Sequence, residues 1–417
     1  MRRKILLLLL TGLSLAGLSL MHYGHGSFTH DSFAYLTTAE HFLGQGGASD
    51  VRRISLFTFV LMPFTGHVLF LYIFLAGATL AAFLLISLVV DHFGPENDWY
   101  WLFFLVPSYM TYVATSILQE SMALLFLSLT IWSILRRKTV LAAFALATGI
   151  FFRPAMLAFG PGFVLAYVFS RHLYAEVQEG CPVVQSLRRK KTVILRDGVI
   201  FILLILVFSA ACASLLLLLS PDPFIAFKAL SGRYIRDRVM RWGYPALWVG
   251  LFGALLAPVV LYSFFLLFKK RRPAFIFFGL VFIPYLLGVW YQADIRYVIY
   301  LVIPIAVGFS LIPIGRWKPA LKVVLVLVFI ASCLYPAGPL TYYYDYVRLE
   351  RVFNLSAKPY IYFDSEYKGR QYATLCRLMR QRDLTPQETQ ILEIYQGTSI
   401  LDYLARHVCP DKKKPRP

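Results

Sequence analysis

The chain reads as a succession of apolar runs divided by short clusters of arginine and lysine. A helix needs about 20 largely apolar residues to cross a bilayer core, at a rise of about 1.5 Å per residue. Runs at 5–21, 68–90, 99–115, 118–135, 139–152, 155–170, 198–219, 246–268, 274–291, 297–313 and 319–335 meet or approach that length. They predict an all-α, polytopic membrane protein with about eleven crossings. Arg2, Arg3 and Lys4 precede the first run, which is read as an uncleaved span with its N-terminus in the cytoplasm; a signal peptide is the alternative.

The stretch from Val140 to Ser170 is too long for one span and short for two. Arg153-Pro154 divides it, because proline suits the first turn of a new helix and an arginine is costly in mid-bilayer. Two short helices then place Arg136–Lys138, Arg188–Lys191, Lys269–Arg272 and Arg316/Lys318 on the same side as the N-terminus, as the positive-inside rule requires. The acidic loop Asp91–Asp98 falls on that side too, against the simplest charge pattern.

The other side receives Thr29–Gly47. In it Tyr35, Leu36, Ala39, Phe42 and Leu43 recur at the spacing of a helix with one apolar face, expected to lie on the membrane surface. Asp31 stands at its start, where a carboxylate accepts from free backbone N–H groups, and Gly44, Gly46 and Gly47 end it. A loop at 220–245 on this side carries Lys228, Arg233, Arg236, Arg238 and Arg241 against Asp222 and Asp237, a cation excess that suits an anionic ligand.

Residues 1–335 thus form a membrane domain, and 336–417 change character. There Thr385-Pro386-Gln387-Glu388 spells a capped helix start, so a small helical extracytoplasmic appendage is expected, ending in a basic tail. Cys376 and Cys409 both fall in it, which allows a disulfide in an oxidising compartment. No internal repeat of the inverted-topology kind is visible.

Composition narrows the class further. Of 417 residues 59% are hydrophobic, and the net charge of +19 comes from clusters between apolar runs, so membrane orientation explains it better than nucleic-acid binding. The five cysteines include no CxxC pair, which argues against a structural zinc site.

Chemistry gathers at the outer ends of the helices: Asp31, Glu120, Arg153 and Arg296. Each has a plain structural role open to it. Asp31 and Glu120 can cap helices, and the arginines can reach for headgroups. His30 and His41 read more simply as solvated than as metal ligands. Together, two carboxylates and several arginines suit transfer chemistry on a lipid-linked phosphate. Cations neutralise the leaving phosphate while a carboxylate takes a proton from an incoming hydroxyl. A divalent cation, Mg or Mn, shared by Asp31 and Glu120 is left open.

The ordered set of Asp31 followed by YLTTAEHFLGQGG, Arg53 before ISLFTFVLMPF, LQESMALLFLSL, FFRPAML and ADIRYVIYLVIPI resembles the GT-C membrane glycosyltransferases. The likeness is greatest to the branch of protein O-mannosyltransferases and lipid A aminoarabinose transferases. It implies an inverting transfer of one sugar from a polyprenyl-phosphate donor to an acceptor outside a bacterial inner membrane. By the resemblance Asp31 would be the catalytic carboxylate and Arg153 and Arg296 donor-phosphate contacts; the residues themselves add Glu120 as a second catalytic carboxylate, one or two of Arg233, Arg236 and Arg238 on the donor phosphate, and His30, Tyr35 and Arg53 as substrate contacts. The chain departs from relatives that carry adjacent Asp-Glu in the first loop, having His30-Asp31-Ser32 there. The competing classes are a lipid-linked-saccharide flippase or transporter, and an O-antigen ligase or polymerase.

Overall fold

A computed structural model describes residues 2–24, 35, 38–39, 42–43, 55–65, 67–105, 119–179, 183–219, 258–289, 299–334, 378–379 and 389. All regular structure among the described residues is helical. The helices are α1 (Arg2–Gly24), α2 (Leu56–Leu61), α3 (Val68–His92), α4 (Leu102–Leu105), α5 (Glu120–Leu135) and α6 (Thr139–Phe152). They continue as α7 (Gly160–His172), α8 (Tyr174–Gln178), α9 (Val183–Leu219), α10 (258–270), α11 (Arg272–Val289), α12 (Val302–Ser310) and α13 (Pro319–Leu334).

Two of these, within α3 (Leu69–His92) and α9 (Arg188–Leu219), are long and apolar enough to cross a membrane. Only 17% of the apolar window of α9 is buried, so an aliphatic surface of high hydropathy faces outward there. Such a surface on a water-soluble chain would be an aggregation site; against lipid it costs nothing.

The core is a row of packed helices. α1 lies on α3, α3 on α5, α5 on α6 and α6 on α9, while α7 packs between α9 and α11. α5 and α6 are joined by only three residues, and this turn closes as a full helix C-cap. The Lys138 N–H donates to Ser133 O at 2.8 Å and the Arg137 N–H to Ile134 O at 3.0 Å. Arg137 holds the left-handed φ of 58° that the motif demands and glycine would supply at lower cost.

Charged side chains gather at one end of the row. Lys4 pairs with Asp91, Arg3 with Asp98 at 3.6 Å, and Lys270 with Glu96 at 2.6 Å. Arg171 and His172 meet Asp197 at 2.9 and 3.0 Å, and Lys190 pairs with Glu176. The N-terminus of α1, the 91–98 loop and the 170–197 and 269–272 clusters therefore share one face, as the charge pattern required. The acids of 91–98, out of place by charge counting, are there as partners for these cations. Burial raises the Tyr174 hydroxyl above its ordinary value, with nearby Arg271 pulling the other way.

Asn97 fastens that face to α12. Its side-chain amide donates to the carbonyls of Phe309, Ser310 and Ile312 at 3.1, 2.9 and 2.7 Å, and the backbone N–H of Glu96 reaches Ser310 O at 2.8 Å. A helix end buried in an apolar body needs its free carbonyls satisfied from elsewhere, and one asparagine serves three.

The stretch 140–170 divides where the sequence placed the break. α6 ends at Phe152, Arg153 is extended (φ −136°, ψ 102°), and a 3-10 segment Pro154–Phe159 leads into α7. At about 1.5 Å per residue α6 and α7 are each about 20 Å long, shorter than a bilayer core of about 30 Å. The expected surface helix is described only at Tyr35, Thr38–Ala39 and Phe42–Leu43. Tyr35, Thr38 and Ala39 are buried, with Tyr35 edge-on to Phe57 at 5.2 Å and Phe42 stacked on Phe59 at 5.3 Å. At these positions the covered face therefore meets protein, the helix α2, and includes Thr38 beside the expected apolar residues. In the 336–417 region only Leu378, Met379 and Thr389 are described, so the appendage and the Cys376–Cys409 pairing lie outside the described residues.

α7 meets α11 at a point of backbone contact. A Cβ on Gly162 would lie 2.5 Å from Leu280 O and 2.7 Å from Val281 O. Leu280 O is the carbonyl that Pro284, inside α11, leaves without its i+4 donor. Replacing Gly162 with alanine is expected to destabilise the protein by about 1–3 kcal/mol, as overpacking does. A fall in the thermal unfolding midpoint of detergent-solubilised protein would record it; an unchanged midpoint would show that the two helices can separate freely.

Candidate functional site

At the end of the row away from the cationic face, α5 begins and α6 stops. Glu120 opens α5, in the first turn, where a carboxylate complements the positive helix end. Arg153 follows the last residue of α6, its N–H donating to Gly149 O at 2.8 Å and its carbonyl accepting from Met156 N at 2.9 Å. α5 and α6 form a hairpin, so the start of one and the end of the other are neighbours. Glu120 and Arg153 form an ion pair, the carboxylate 0% and the guanidinium 8% exposed.

Several features fix this pair in place. A Cβ on Gly149 would meet Met156 Cε at 2.9 Å and Phe126 Cβ at 3.1 Å, so the last turn of α6 lies tight against α5 and the following 3-10 turn. Phe126 stacks on Phe152 at 5.2 Å. Met122 and Phe152, two residues after Glu120 and one before Arg153, belong to the apolar cluster that holds Tyr35, Ala39, Phe57 and Leu61. The first loop is fastened here as well. The amide Nε2 of Gln119, 4% exposed, donates to Ser55 Oγ at 2.9 Å, tying the residue before Glu120 to the residue before α2. Six residues after Arg153, Phe159 stacks on Tyr285 at 3.7 Å, and Tyr300 lies edge-on to both.

Counted along the helices from the Arg136–Lys138 turn, the pair lies about 21–24 Å from the cationic face. The sequence expectation set Glu120 and Arg153 at separate helix ends on a surface. The structure brings them into contact and buries them.

Tyr35 stands in the same cluster, edge-on to Phe57. His30, Asp31, Arg53, Arg233, Arg236, Arg238 and Arg296 lie outside the described residues. Sequence reasoning missed Gln119 and Ser55. The QE dipeptide at 119–120 and the serine ahead of an apolar run were visible, but nothing in their spacing says that they meet. Asp31, the other carboxylate expected to share a divalent cation with Glu120, lies outside the described residues. No group of three or more His, Cys, Asp or Glu placed to hold a metal occurs among the described residues.

Comparison with protein-family models, with curated proteins and with solved structures finds no match to this chain.

A buried pair is most sensitive to losing one partner, because the remaining charge keeps its desolvation cost and loses an interaction that offset it. Arg153→Met is expected to destabilise by about 3–5 kcal/mol, and adding Glu120→Gln to recover part of that. Thermal unfolding of the two single and the double variant in detergent measures the coupling. Additive losses would mean that the ion pair contributes nothing beyond its separate side chains.

Proposed function

We propose that the chain is an integral membrane glycosyltransferase of the GT-C type, with about eleven spans and its cationic face in the cytoplasm of a bacterial inner membrane. It moves a single sugar, with inversion, from a polyprenyl-phosphate donor to an acceptor on the outer side. The observation that carries the reading is the buried Glu120–Arg153 pair, flanked in the chain by Met122 and Phe152 of the cluster that holds Tyr35 and Ala39, at the end of the bundle away from the cationic face. Buried ionisable groups in an apolar helical body are costly and are kept where they serve a substrate.

In this reading the acceptor hydroxyl gives its proton to Asp31 as its oxygen attacks the anomeric carbon. The bond from that carbon to the phosphate oxygen breaks, and the polyprenyl phosphate leaves as an anion. Arg153 and Arg296, with Arg233, Arg236 and Arg238 from the 220–245 loop, neutralise that anion. Glu120 keeps the Arg153 guanidinium in place. Tyr35, four residues after Asp31, packs edge-on to Phe57, and His30 and Arg53 contact the substrate. The charged pair lies short of the far boundary of a core of about 30 Å, deep enough to meet a phosphate drawn slightly into the membrane.

A flippase for the same lipid-linked saccharide is the second reading, favoured by the recessed ion pair, the short α6 and α7 and the proline inside α11. Proteoliposomes with a polyprenyl-phosphate sugar and candidate acceptors separate the two. A transferase makes a new glycosidic bond; a flippase relocates intact donor. Asp31→Asn is expected to keep the folded protein and lower turnover by about a hundred- to ten-thousand-fold. Full turnover in that variant removes Asp31 from the mechanism, and donor relocation without product replaces the transferase reading.

A further inference from the structure

α9 is 37 residues long, about 55 Å, well beyond a hydrocarbon core of about 30 Å. Its two long faces differ. Lys190, Ile194, Asp197 and Phe201 recur at helical spacing and turn inward. Lys190 pairs with Glu176 and donates to His172 O at 3.0 Å, and Asp197 receives Arg171 and His172. Phe201 is fully buried and stacks on Tyr167 at 4.4 Å.

The opposite stripe, Arg188, Lys191, Leu195, Val199, Ile202 and Leu206, keeps the same three- and four-residue spacing and is exposed throughout. It begins cationic and becomes aliphatic within one turn: Leu195 is 65% and Leu206 58% exposed. Arg189 flanks its upper end, also exposed. Arg188, Arg189 and Lys191 form no ion pair with the described residues, although neighbouring Lys190, Arg171 and Arg196 all do.

We infer that this stripe is a docking site for an anionic phospholipid of the leaflet on the cationic side. The phosphate of the headgroup sits on Arg188, Arg189 and Lys191, and an acyl chain runs down Leu195, Val199, Ile202 and Leu206. The dimensions fit. Leu195 to Leu206 spans about 16 Å, and one leaflet of the core is about 15 Å deep. A cation cluster directly above an exposed apolar helix face matches an anionic headgroup above its chain, and matches neither a soluble phosphate nor a zwitterionic lipid as well. The site is distinct from the proposed donor site, which lies at the other end of the bundle, and it does not depend on that proposal.

The test uses the full chain in detergent, with phosphatidylglycerol, phosphatidylcholine and inorganic phosphate as probes. Retained lipid is read by native mass spectrometry and stabilisation by thermal unfolding. Each cation near an anionic headgroup contributes about fivefold, so Arg188→Gln/Arg189→Gln/Lys191→Gln is expected to weaken phosphatidylglycerol binding by about a hundredfold. Arg316→Gln/Lys318→Gln/Lys322→Gln, of equal charge change elsewhere, leaves it intact, and Arg188→Lys/Arg189→Lys retains it. Equal retention of the two lipids by the unmodified chain, an undiminished preference in the first triple variant, or displacement of the lipid by inorganic phosphate at equal concentration would each overturn the inference.

Discussion

A carboxylate and a guanidinium can enter an apolar helical body together far more cheaply than apart, and the Glu120–Arg153 pair is where this constraint shapes the chain. To bring the two into contact, α5 and α6 must form a tight hairpin, and α6 must stop at residue 152. The backbone opens to an extended conformation at Arg153, and Gly149 leaves no side chain between the two helices and the 3-10 turn. Gln119 and Ser55 then carry the same point across to the first loop.

The other end of the bundle solves a different problem with the same interaction. Cations set there by sequence would repel one another if unpaired, and the 91–98 stretch supplies Asp91 and Asp98 to α1 and Glu96 to α10. Asn97, next to the end of that stretch, holds the end of α12 through three carbonyls. One short acidic loop thereby fixes the register of α1, α10 and α12. The exposed ion pairs among these add little stability individually, but as a set they decide which helix ends share a face.

The site and the scaffold meet along α6 and α7. α6 runs about 20 Å inward from the cationic face and α7 about 20 Å back to it, so the break between them carries a charged residue to a depth that a full-length span would fill with apolar side chains. Gly162 against Leu280 O, the carbonyl freed by Pro284, lets α7 approach α11 closely just beyond that break. Helix length, a proline and two glycines thus place one ion pair.

Periodicity and charge clustering by themselves determined the helical class, the long apolar segments in α3 and α9, the division at Arg153-Pro154 and the gathering of the basic clusters on one side. These depend on local composition and on the large energetic cost of moving a charge across lipid, both written along the chain. The sequence also marked Glu120 and Arg153 as ionisable residues at helix ends. That they touch, that the first loop is fastened beside them through Ser55 and Gln119, that the covered face of the first-loop helix includes Thr38 and rests on protein, and that Asn97 caps a helix more than two hundred residues away were decided only by tertiary structure. The reason is physical: contacts between segments distant in sequence follow from how helices pack and how each buried polar group finds a partner, and neither is encoded in the spacing of residues along one helix.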